Sequence, residues 1–221
     1  MARFSPAKKD VLDALVDDIL HNYGRGRAVV AVDGTNATRS FADDLAASVT
    51  ARGHGVFRAS MDRFYRPEAE RAARGQSTAA EVYANAADYS TFRRVLVEPF
   101  RLGGSTAFVT AAFDVESNTV IPAKWLSGPK DALLIVDGMF LNRPELRGLW
   151  NFSVWLEPDV AAPVHSEVVA DSQNSAIAEF PAQRAAALAI YLAESSPRTT
   201  ATAIMNATDP EHPRRVFADA C

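Results

Sequence analysis

Short apolar, β-branched runs that end in acidic turns recur along this 221-residue chain and alternate with stretches of helical period. Ala28–Val32 runs into Asp33-Gly34, Val56–Ala59 is followed by Asp62, and Leu133–Val136 runs into Asp137-Gly138. Runs this short and this apolar read as strands buried on both faces. Between them, Val11–Tyr23 repeats apolar residues at helical spacing, and Phe41–Arg52 places Phe41, Leu45 and Val49 on one face. Alternating strands and helices predict an α/β fold, a mostly parallel sheet covered by helices on both faces.

Further strands are expected at Phe108–Phe113, Phe152–Leu156 and Ala201–Met205, and a helix at Ala182–Glu194. Tyr89–Leu102 reads as a helix that Pro99 should end or kink. Arg66–Ala80, charged and alanine-rich, is a solvated loop or helix. Trp125, Trp150 and Trp155 are expected to pack in the core or at its edge. No repeat or linker divides the chain, so residues 1–221 are expected to form one domain, with an amphipathic N-terminal helix over 7–23.

Hydrophobic residues make up 48% and charged residues 23%, a balance that supports a sizeable core. The net charge of -4 supplies no basic field for nucleic acid or an anionic membrane. The single cysteine, Cys221, excludes an intrachain disulfide and a cysteine-based zinc site. No apolar run is long enough to span a bilayer, and the first ten residues lack an apolar signal core, so a cytoplasmic location is expected.

Ligands of open parallel sheets sit beyond the carboxyl ends of the strands. Asp33, Asp62, Asp114 and Asp137 all follow strand candidates and together outline a carboxylate-lined cleft. Each alone is an ordinary turn residue.

Three stretches make the pattern specific: VAVDG with FADDLA, then SMDRFYRP, then LLIVDGMFLNRPELRGLWNFSVWLEP. They resemble the uridine kinase family in the form common to bacterial P-loop nucleoside kinases. The similarity covers about Ala28–Pro158 and continues faintly through Thr208–Val216. It implies a P-loop kinase-type three-layer sandwich with about five parallel strands. It also implies transfer of the γ-phosphoryl of ATP to a nucleoside 5′-hydroxyl. By the same resemblance Asp62 is the catalytic base, and Asp137 and Ser40 would hold magnesium. Tyr65 and Tyr83 would line the acceptor pocket, and Asn85 stands where an acidic residue grips the ribose hydroxyls.

The phosphate-binding loop departs from the family. Its form, G-x-x-x-x-G-K-[ST], uses glycines to turn N–H groups inward, a lysine for the phosphates and a hydroxyl for magnesium. Here the segment reads Gly34-Thr35-Asn36-Ala37-Thr38-Arg39-Ser40-Phe41, with no second glycine and no lysine. Matched at Phe41, it is about two residues short. Thr38 takes the place of the second glycine, where a β-branched residue resists positive φ. The lid-like segment at about 160–181 has no arginine or lysine up to residue 180 and carries Glu167, Asp171 and Glu179.

Two functions stay open. One is a uridine kinase-like protein that has lost phosphoryl transfer and needs no cofactor. The other is an active nucleoside, sugar or vitamin kinase that uses Mg2+ and ATP, with Arg39-Ser40 in place of Lys-Ser. The expected partner is a nucleoside-like small molecule, with neither nucleic acid nor membrane, and a homo-oligomer is open.

Overall fold

The computed structural model describes residues 6–75, 78–157 and 181–217. Helix α1 (Lys8–Tyr23) buries Leu12, Leu15, Val16 and Ile19, the stripe its period predicts. Strand β1 (Arg27–Asp33), helix α2 (Thr38–Ala51) and strand β2 (Gly55–Ser60) follow. A 3-10 turn (Met61–Phe64) leads into α3 (Glu68–Arg74) and α4 (Ala79–Asn85). Next come α5 (Tyr89–Phe92), a π-helical turn (Arg93–Val97) and α6 (Glu98–Leu102).

The short strands β3 (Phe113–Asp114) and β4 (Thr119–Val120) form a hairpin. After them run β5 (Ala132–Gly138), α7 (Pro144–Arg147), β6 (Phe152–Glu157), α8 (Pro181–Ser195) and α9 (Pro197–Thr200). Strands β7 (Ala203–Asn206) and β8 (Arg214–Val216) complete the described chain.

The main sheet has the order β2-β5-β1-β6-β7-β8. Its first five strands are mutually parallel, and β8 adds an antiparallel edge. Alternation across the pleat builds two cores. Val30, Val32, Leu133 and Ile135 face α1 and α2, whereas Val29, Ala31, Leu134 and Val136 face Phe92, Leu96 and Phe100. The expected three layers follow from this two-sided burial. Two in-register pairs, Asp33 with Gly138 and Ser60 with Asp137, align the acidic ends of β1 and β5 along the carboxyl-terminal side of the sheet.

Two expectations need correction, and that for Pro99, to end or kink the helix, is narrowed. Phe108–Phe113 is not a strand of the sheet: Phe108 only bridges Leu126, and Phe113 pairs with Val120 in the separate hairpin. Phe108, Val109 and Phe113 are apolar because they are buried as a cover, not because they join a ladder. Pro99 does not end the helix. Having no N–H, it leaves the carbonyl of Val95 without its helical donor, and the backbone N–H of Val109 takes that place at 2.9 Å. Trp125 is 60% exposed rather than packed. The lid-like segment lies, up to residue 180, outside the described residues, as does Cys221. No helix among the described residues is long and apolar enough to cross a membrane.

Candidate functional site

Asp62 stands on the 3-10 turn immediately beyond β2, beside the carboxyl end of β5. The approach is tight enough to demand glycine at position 138: a Cβ there would lie 2.7 Å from the Cβ of Met61. Arg39, Asp62, Arg63, Asp114, Val115 and Glu116 line a small polar cleft with a cavity volume of about 10 Å³. Asp114 reaches it on the β3–β4 hairpin rather than from the end of a sheet strand.

Of the four carboxylates expected to line one cleft, Asp62 and Asp114 do so, Asp137 and Asp33 do not, and each is already matched inside the protein. Asp62 faces the guanidinium of Arg39 at 3.8 Å. Asp114 pairs with Arg63 and accepts from Ser117 at 2.7 Å, and these two partners lower its pKa. Asp137 is buried, with Oδ1 accepting from Arg58 Nη2 at 2.7 Å and Oδ2 accepting from Ser60 at 3.0 Å. Burial raises its pKa, and the guanidinium of Arg58 opposes that rise.

Asp33 faces no cleft at all. It is fully buried, and its Oδ2 accepts from the backbone N–H of Asn142 at 2.9 Å, from Asn142 Nδ2 at 2.7 Å and from the hydroxyl of Tyr191. Desolvation pushes its pKa up to about 6 against the lowering effect of Tyr191 and Asn142. Among the described residues, its Oδ1 and the buried Oγ1 of Thr35 have no hydrogen-bond partner.

The loop between β1 and α2 is built closed at its start. The N–H of Gly34 donates to Gly138 at 3.3 Å. A Cβ on Gly34 would meet Leu156 Cβ at 2.9 Å and Thr38 Cγ2 at 3.2 Å, so the threonine methyl fills the space beside this glycine. The positive φ expected to trouble Thr38 falls instead on Ala37, at 55°, and Thr38 opens the helix. Ser40 donates its hydroxyl to the carbonyl of Ala37 at 3.2 Å. With Ser40 turned back onto the loop and both oxygens of Asp137 engaged, these residues do not fit a magnesium–triphosphate group.

The acceptor-side residues are held in contacts of their own, none of them lining the Asp62 cleft. Tyr65 bridges Ala87 and packs half-buried against the core. Tyr83 is itself a core residue: its ring lies 5.2 Å from Phe140, and Arg143 covers it at 4.4 Å. Asn85 donates to the carbonyl of Arg74 at 3.1 Å and so ties α4 to the end of α3. Neither Tyr83 nor Asn85 lines the Asp62 cleft. Arg198 pairs with Glu157 at 2.9 Å at the end of β6.

Sequence reasoning missed Arg58, Arg63, Asn142 and Tyr191. Arg58 did carry a signal, a lone cation inside the strand VFRAS, and Asn142 lies within LNRPEL. Tyr191, in an alanine-rich helix, carried none.

Neither a family model nor a curated protein matches this sequence. Solved structures do. A possible uridine kinase from Bacillus stearothermophilus superposes with a TM-score of 0.69 at 22% identity, over 89% of this chain and 97% of that one. A candidate fructose transport system kinase from Silicibacter sp. TM1040 gives 0.57 at 22% identity, over 68% of this chain and 76% of its own. The YGR205w protein gives 0.58 at 11% identity, over 91% and 94%. Strand order, layering and these superpositions together make this a P-loop kinase-like α/β fold.

Proposed function

We propose that this chain is a uridine kinase-like protein without ATP-dependent phosphoryl transfer, which keeps the cleft at Asp62 as a binding site for a small, hydroxylated, nucleoside-like ligand. The conformation of Gly34–Ser40 carries this reading. Phosphoryl transfer depends on a cation and a metal placed where charge develops. In this loop no lysine is present, the Thr38 methyl lies against Gly34, and the Ser40 hydroxyl bonds to Ala37. The carboxylate of Asp62 still lines the cleft and accepts hydroxyl donors.

One observation favours a second reading, a small-molecule kinase using Arg39-Ser40. Arg39 lines the same cleft as Asp62 and holds a positive charge opposite it. Calorimetry with magnesium–ATP, with turnover assays on nucleosides, sugars and vitamins, separates the two. The expected result is no ATP binding and no transfer. Micromolar ATP affinity with transfer that D62N abolishes would establish the second reading instead.

A further inference from the structure

We infer that Arg58 is a protein-borne counter-cation, occupying the place beside Asp137 where a divalent ion would otherwise neutralise that carboxylate. This deepens the reading above, of a cleft that works without magnesium–ATP.

Arg58 projects from the middle of β2, and its guanidinium is used on every side. Nη2 lies 2.7 Å from Asp137 Oδ1, and Nη1 donates to the carbonyl of Ile135 at 2.8 Å and to that of Ala59 at 3.2 Å. Nε donates to Asp43 on α2 at 2.8 Å, and Nη2 also reaches the carbonyl of Arg39 at 3.4 Å. The side chain of Asp137 is 3% exposed, so its charge needs a partner within the protein. Asp62 adds a second negative charge that acts unfavourably on Asp137.

A planar cation with five donors satisfies two strands, one helix and a buried carboxylate at once, which a spherical ion cannot do. A metal entering here would have to displace a guanidinium held by both carbonyl and carboxylate oxygens. The cation is therefore permanent, and the start of α2 is anchored to it whether or not a ligand is present.

Manganese titration without nucleotide, followed by electron paramagnetic resonance and by melting temperature, tests this directly. Wild-type protein is expected to show no saturable site at millimolar Mn2+. R58Q, which keeps a hydrogen-bonding side chain but not the charge, is expected to bind Mn2+ at least about tenfold more tightly. The double variant R58Q/D137N should lose that binding while regaining stability, because no unpaired buried charge remains. If R58Q does not purify, R58M takes its place, and the wild-type arm decides independently.

Mn2+ binding by wild type that D137N abolishes would overturn the inference, as would R58Q behaving like wild type. Nucleotide turnover with the metal seated away from Asp137 would instead end the functional reading and leave this one standing.

Discussion

The hydroxyl of Tyr191 donates to Oδ2 of Asp33, joining α8 to the carboxyl end of β1 inside the core. The same phenolic oxygen accepts from the backbone N–H of Asn142 at 3.0 Å, so three segments meet at one buried carboxylate. Among the described residues, the donors to Asp33 are neutral and no arginine compensates its charge as Arg58 does for Asp137.

That arrangement makes stability depend on pH. Folded Asp33 keeps its proton up to about pH 6, whereas the unfolded side chain releases it near about pH 4. Folding therefore takes up a proton between these values, and stability from this group falls as pH rises through them. The expected loss from about pH 4 to above pH 6 is about 3 kcal/mol, an order-of-magnitude figure. D33N should gain on wild type by a comparable amount over that window in denaturant titrations. A difference between the two proteins that does not vary with pH would refute this.

Y191F removes a donor to Asp33 and an acceptor for Asn142 while leaving the ring in place. Its expected cost is about 1–3 kcal/mol, because the polar groups left behind are buried. Combined with D33N, the two effects should not add, since both act on one network. A double-mutant cycle with zero coupling would show that the contact carries no energy.

Gly138 should not tolerate alanine. Its φ is 153°, and the added methyl would lie 2.7 Å from Met61 Cβ. G138A is expected to lower the urea midpoint by the equivalent of about 2 kcal/mol or more. Met61 neighbours Asp62, so the variant should also weaken any ligand bound in the Asp62 cleft.

Helix α4 begins with a capping box in which Thr78 accepts from the N–H of Glu81 at 3.2 Å and Glu81 accepts from the N–H of Thr78 at 3.0 Å. T78A should cost about 1 kcal/mol, and T78S much less. Equal losses for the two variants would mean that the methyl matters and the hydroxyl does not.

Strand content was legible because parallel strands buried on both faces need nearly unbroken apolar runs. The runs ending at Val32 and Val136 are such cases, and each became a central strand. The stretch at Phe108–Phe113 shows the limit of that signal. Burial alone makes a segment apolar, so a cover over the sheet and a strand within it look alike.

The sequence by itself determined the α/β alternation, the acidic residues that close the strands ending at Val32 and Val136, and the absence of lysine from the phosphate loop. These are local properties, set by side-chain period, by turn chemistry and by residue identity. Only the tertiary structure decided which carboxylates remain available. Asp33 and Asp137 follow strands with the same Asp-Gly ending, yet one is held by Tyr191 and Asn142 and the other by Arg58. Those partners lie 158, 109 and 79 residues from the carboxylates they hold. No local pattern encodes a pairing at such a separation, because it exists only once the sheet has brought the strand ends and helix faces together.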